Sequence, residues 1–522
     1  MYKKMFAVVL LFLSGWSALQ AQGKLSIDNV YSAYLRNSGT IMEKQQIKGY
    51  FFFYLSDKVD RKTNEYTLQI LDENLNKVKD IKFEDNKNVN LLEAAYNGNS
   101  LSFLFQDEKE RKLTMKIYSM EGKLLRTYIN EYSRKTEEFM KMYNKDRADN
   151  EATNQHVFDV GEKGFVSVMP VKDGKDYTYE MDFYGSQKKA YWKYIPDDKN
   201  RFTVAEYLGN TDSLIILQVL SRRRLLSNAM APHLVGINFI TKKVVFDLEG
   251  DEDEDEYRIL PTSIKRKSDG TFLVMGPYCD KDANPIKSAS KGLAVYEMNT
   301  AGKILSRKYN SWETDFAKYL HTSSKGKIDE IGYLCIHNLI LSADGKLTVV
   351  GEGYKRQVSA GGTALKALSI AAGGVDAFNA TKITITDMVV MTFDEHFNVT
   401  GAQIFNKTNN AAATPPGIDY VSQHMIALAL KSTGAFDYDF TTSDEDNETF
   451  SICYSDYERT GDYKGQTFNT IHYNGSKFKQ DKIKLKSNAS KLKVFPAKPG
   501  SVMILEYFKK EKRIDVHLEK IS

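Results

Sequence analysis

The stretch Gly332-Tyr-Leu-Cys-Ile-His-Asn-Leu-Ile-Leu-Ser-Ala-Asp-Gly-Lys-Leu-Thr-Val-Val-Gly-Glu-Gly-Tyr354 decides the fold. Two runs rich in branched and aromatic residues flank the turn Ala343-Asp-Gly345, the pattern of an antiparallel β-hairpin. Similar turns recur along the chain in two alternating classes. One class lies at 96–99, 161–164, 209–212, 268–270, 343–345, 432–434 and 498–500; the other lies at 72–76, 120–122, 184–186, 240–242, 300–302, 395–398 and 473–475. If the first class joins strands one and two of a unit and the second joins strands three and four, the chain is a series of four-stranded antiparallel units. Repeated units of that kind predict an all-β fold, a β-propeller.

The count is eight blades, with seven as the alternative and a pair of smaller all-β domains as the competing architecture. The first blade is least clear at its inner edge, between Ile41 and Tyr54. The last, 491–521, shows only three strand-like runs. The orphan segment 25–35 supplies the missing strand, so residues 22–522 are expected to form one propeller closed by pairing of its two ends, which removes open sheet edges.

With this assignment the short turns share one face, and the 2–3 loops and inter-blade links share the other. The long stretches fall on that second face: loops 221–234, 279–292 and 354–387, and links 130–155, 249–256, 310–338 and 406–423. Long loops on a rigid frame are where binding is usually built. Two of these insertions read as helical. Glu131–Ala148 sets Phe139, Met140, Met142 and Tyr143 among charges, and Gly362–Phe378 is nearly uncharged and apolar. The latter reads as a helix packed over the channel mouth or a neighbouring blade, or as a lid that docks a partner or touches a membrane.

Residues 1–21 have the layout of a secretory signal peptide: Lys3 and Lys4, an apolar run from Met5 to Leu13, then small and polar residues to Ala21. No later segment approaches the length of a spanning helix. The protein is therefore expected to be exported, to the periplasm or outer cell surface. The 522 residues are 42% hydrophobic and 12% aromatic, too apolar for a disordered chain. With 72 Lys+Arg against 68 Asp+Glu, the net charge of +4 gives no footprint for nucleic acid. Three cysteines, Cys279, Cys335 and Cys453, allow at most one internal disulfide.

Chemistry-bearing residues are scattered. His156, His337 and His424 stand at similar places, at the expected starts of first strands in the third, sixth and seventh blades; three imidazoles converging on the channel would hold a transition metal, whereas separated ones are polar channel-liners. Arg222, Arg223 and Arg224, beside His233 and with Lys355 and Arg356 as neighbours from another blade, are candidates for recognising an oxyanion. Glu352, inside an apolar strand, groups with His337 and Tyr354 as a candidate pocket, or is a hydrogen-bonded structural carboxylate. The acidic run 251–256 reads as a solvated link. Asp280-Lys-Asp-Ala-Asn284 begins like a calcium loop but continues with Pro285 where glycine is required, and Asp444–Glu448 clusters oxygens without a diagnostic spacing. The hydrolase elbow, the zinc-protease helix motif, the phosphate-binding glycine loop and Cys-x-x-Cys are all missing from the sequence.

Through the Ala-Asp-Gly turn and the Gly-Glu-x-Tyr ending at Tyr354, the stretch 332–354 resembles an uncharacterised family of secreted β-propeller-like proteins of Bacteroidetes-type bacteria. Gln20-Ala-Gln22 in the leader points the same way. The resemblance implies fold and export but no activity. The expected function is a non-enzymatic binding or scaffold propeller engaging a protein or glycan through its loop-rich face. The alternative is a polysaccharide hydrolase or lyase with its site at the channel mouth.

Overall fold

The computed structural model describes residues 23–43, 46–134, 136–137, 155–173, 176–196, 202–222, 231–248, 256–284, 287–358, 381–413, 421–459 and 461–521. Among the described residues its strands divide into eight antiparallel blades of the propeller kind; three of these carry a fifth short strand, and the third and fourth run into one sheet through a parallel bridge between Tyr177 and Phe202. The blades fall into two compact units. One holds 1–87 and 486–522 and carries the first and eighth blades; the other holds 88–485 and carries the second to seventh.

In the smaller unit the first blade runs Gly39–Glu43, Gln46–Asp57, Thr63–Asp72 and Lys77–Asn86. The eighth is Lys491–Pro496, Ser501–Phe508 and Arg513–Lys520, and its outer place is taken by Lys24–Ile27, in register from Lys24↔His517 to Ile27↔Ile514. The segment 25–35 thus serves two blades, because Ser32–Ala33 pairs with Gln46–Asp57 of the first. Alternation drives both sheets. Tyr50 and Phe52 from one and Met503, Leu505 and Val516 from the other meet Val30 and Leu35 in a single buried cluster. The outer strand Lys77–Asn86 keeps its lysines and acids in solvent, which discourages pairing with another chain.

In the larger unit the inner strands are Val89–Tyr96, Val157–Asp159, Phe202–Asn210, Ser263–Arg266, Tyr333–Leu341 and Tyr438–Ser443. The turns read from the sequence join the strands as expected, with one exception. Ser432-Thr-Gly434 is not a hairpin but the end of a helix, Gln423–Ser432. Ala, Leu, Met and Lys favour helix there, and Ile426, Ala427 and Leu430 share its buried face. Gly434, at φ +62°, supplies the left-handed residue that stops it. The seventh blade's first turn is instead Asp444–Thr449. The Asp444 carboxylate accepts the Glu448 and Thr449 amides and the Thr449 hydroxyl, so this acidic cluster is a turn device.

The expected helices at 131–148 and 362–378 lie outside the described residues, apart from Glu131–Arg134, Thr136 and Glu137. Residues 251–255 and Pro285 lie outside them too. All three cysteines are free and buried. Among the described residues no helix is long and apolar enough to cross a membrane.

Leu35 is 1% exposed at the centre of the smaller unit's core. Leu35→Ala should lower unfolding free energy by about 2–5 kcal/mol, read as a lower urea midpoint with unchanged slope.

Candidate functional site

A glutamate inside an apolar strand must find buried partners, and Glu352, fully buried in Leu347–Val358, finds several. Glycines on both sides let other chain segments approach. A Cβ on Gly353 would stand 2.4 Å from Thr386 Oγ1, and one on Gly351 would stand 2.8 Å from the Cys335 carbonyl oxygen. The Glu352 carboxylate accepts the amide of Asp437 at 3.1–3.2 Å and that of Tyr438 at 3.1 Å, where the seventh blade begins. Lys407 Nζ lies 3.1 Å from its other side and also donates to Asp437, which accepts from Asn410 Nδ2 at 2.8 Å. The Lys407 amide in turn donates to Asp387 at 2.9 Å. His337 is the extra residue of a bulge between Ile336 and Asn338; its Nε2 comes within 3.2 Å of Glu352, and its ring stacks on Tyr438 with centroids 4.8 Å apart.

The charges follow from these contacts. Burial works against ionised Glu352, but His337, Lys407 and the Asp437 amide hold it below the usual carboxylate range. Burial also opposes the Lys407 ammonium, and its two carboxylate neighbours more than offset that. His337 is pushed below the usual imidazole value by burial and stays neutral at pH 7. Asp437, desolvated and repelled by Glu352, rises to about 6 in spite of Lys407. Lys407 and Glu352 are therefore both ionised, and Asp437 takes up a proton at a milder pH than an ordinary aspartate.

The same device occurs between the second and third blades. Glu93, next to a bulge in Val89–Tyr96, accepts the amides of His156 and Val157 at 2.7 Å each. Neutral side chains make comparable links: Gln218 donates to the Pro261 carbonyl, while Asn310 donates to Phe397 and accepts from Val399.

The structure separates the three histidines proposed as a metal site. His156 Nδ1 meets the Val168 carbonyl at 3.1 Å, His337 faces Glu352, and His424 Nε2 meets the Ser288 carbonyl at 3.1 Å. His424 sits in the first turn of a helix rather than on an inner strand, and burial lowers its pKa to about 4. Among the described residues no three His, Cys, Asp or Glu side chains are grouped to hold a metal ion. The trio Glu352, His337 and Tyr354 also divides. The Tyr354 hydroxyl donates to the Gln423 carbonyl, and its ring lines a pocket whose walls include neither Glu352 nor His337. Arg222 ends the strand Leu214–Arg222, and Arg223 and Arg224 lie outside the described residues. Arg356 Nε is 3.4 Å from Thr381 Oγ1. Lys407, Asp437 and Glu93 were missed from sequence; the lone carboxylate in an apolar run signals that a partner exists without saying which.

The pocket beside Tyr354 encloses about 590 Å³, part of it open to solvent. It is formed by the 2–3 loop of the fifth blade, the link 312–332, the sixth blade's first two strands and the helix Gln423–Ser432. A family model described as a family of unknown function, DUF6770, matches residues 1–522. The chain belongs to that family. No curated protein matches it. Among solved structures it is similar to a prolyl endopeptidase studied for inter-domain dynamics in catalysis and specificity (10% identity, TM-score 0.38, 91% of this chain and 55% of that one). A post-proline cleaving enzyme from Rickettsia typhi gives 9% identity and TM-score 0.38 over 91% of this chain and 58% of that one. A protein of unknown function from Bacteroides caccae gives 10% and 0.24 over 65% and 90%. The chain thus spans little more than half the length of the two peptidases.

Removing one partner from a buried ionic cluster strands the other. Glu352→Gln, which leaves Lys407 short of an anion, should lower stability by about 3–5 kcal/mol in denaturant unfolding. Asp437 binds its proton more tightly folded than unfolded, so its ionisation opposes folding. Stability should fall as pH rises from about 4 to about 6, and this part of the slope should vanish in Asp437→Asn when unfolding free energies are compared across that range.

Proposed function

We propose that the protein is an exported, non-enzymatic binding propeller, acting in the periplasm or at the cell surface, that engages a protein or glycan through the end carrying its 2–3 loops and inter-blade links. The observation that carries this reading is the state of Glu352. The carboxylate best placed to be a catalytic acid or base is closed off from solvent, and its oxygens are occupied by Lys407 and the amides of Asp437 and Tyr438. It serves to join blades. A general acid or base must reach the proton it moves, directly or through one water.

The elaboration of the loop-bearing end supports the same reading. In the described part of the larger unit, that end carries the link with Trp312 and Phe316, the short strand Asn410–Ala412 and the helix Gln423–Ser432. The opposite end carries short turns such as Ser342–Lys346 and Asp394–Asn398.

The test is a panel of glycans and cell-envelope proteins offered to the purified protein, with parallel measurement of released reducing ends. Saturable capture without release is expected, and neutralising Arg222, Arg223 and Arg224 together should weaken capture of acidic ligands. Release of reducing ends that disappears in a folded Glu352→Gln chain would overturn the reading in favour of a polysaccharide hydrolase or lyase.

A further inference from the structure

The pocket beside Tyr354 has few polar groups left unspent, and one of them is a cation. Its walls are largely apolar or aromatic, with Leu293, Trp312, Ile336 and Leu428 among them. Most of its polar groups are engaged inside the protein. Trp312 Nε1 donates to Ser290 Oγ at 3.0 Å, the Tyr354 hydroxyl donates to the Gln423 carbonyl, and His424 Nε2 meets the Ser288 carbonyl. Gln423 Oε1 is a neutral acceptor, buried without a hydrogen-bond partner. The Cys335 thiol is kept protonated, burial pushing it up to about 12.

Lys431 differs. It lies on the last turn of the helix, and its Nζ makes one long contact, 3.4 Å to the Ile336 carbonyl. Among the described residues no carboxylate lines the pocket. Glu206 feels the Lys431 charge, yet the two form no ion pair among the described residues. Lys325, exposed at the rim, adds a second positive charge. Lys407, by contrast, is matched by two carboxylates.

We propose that this pocket binds a small apolar carboxylate, its chain or ring against Trp312, Leu293 and Leu428 and its head group on Lys431. An apolar wall with one partly buried cation selects a ligand of the same pattern, because the charge-assisted contact forms where water is partly excluded. A free acid suits the site better than a peptide end. Apart from Gln423 Oε1, the polar groups that would read a peptide's amides, on Trp312, Tyr354 and His424, are already bonded within the protein. The pocket lies at the same loop-bearing end, and its occupation by a small acid does not depend on a macromolecular ligand being bound there.

The experiment titrates decanoate and decan-1-ol into the full chain carrying Trp192→Phe, so that Trp312 is the reporting indole of the described residues. Decanoate should change Trp312 fluorescence to saturation at one equivalent per chain, binding about tenfold tighter than the alcohol. Lys431→Met should abolish that preference while leaving alcohol binding intact, and Lys431→Arg should keep it. Leu428→Asp should weaken both ligands. Equal binding of acid and alcohol to the starting chain, a preference that survives Lys431→Met, or no fluorescence change below the micellar concentration in a chain with an intact melting transition would each overturn the proposal.

Discussion

A buried glutamate that accepts two backbone amides from the start of the next blade is the contact on which this architecture turns. The inner edges of the third and seventh blades present N–H groups that their own sheets do not pair, and a buried amide without an acceptor costs on the order of 1–3 kcal/mol. Glu93 meets that need for His156 and Val157, and Glu352 meets it for Asp437 and Tyr438. A carboxylate suits this role because a charged acceptor strengthens each amide bond it receives, although neutral side chains such as Asn310 make comparable links. Its burial then requires compensation, and around Glu352 this explains Lys407, while the same burial raises the pKa of Asp437 and keeps His337 neutral.

This arrangement bears on function through rigidity. Side chains that would look catalytic in isolation are committed to holding blades in register, so the frame is stiff where ionisable groups are concentrated. Chemistry open to a ligand is left to the loop-bearing end, where the fifth and sixth blades, their link and the helix Gln423–Ser432 surround a pocket with Lys431 on its wall. Asp437 makes the joint sensitive to mild acid, in the direction of greater stability below pH 6.

Much of this was legible in the sequence because turns are local. Asp-Gly and Asn-Gly bends carry their own backbone requirement, so the hairpins around Gly98, Gly270, Gly345 and Gly475, all with φ between +85° and +97°, announce themselves. The segment 423–434 did not. Its apolar residues fit a short strand as readily as a helical face, and Ser-Thr-Gly ends either one. The site was legible only in half. Glu352 stands out as a charge within Val-Val-Gly-Glu-Gly-Tyr, but Lys407 is 55 residues away and Asp437 is 85, and nothing local marks them as its partners. The supposed metal triad failed for the same reason: similar offsets from turns say nothing about which way an imidazole points or which carbonyl has already claimed it.

Amide hydrogen exchange at Asp437 and Tyr438 tests the central claim most directly. If the Glu352 carboxylate holds the seventh blade to the sixth, exchange at these two positions should accelerate sharply in Glu352→Ala under conditions where the second and third blades keep their protection. Unchanged protection at Asp437 and Tyr438 in that variant would contradict the account.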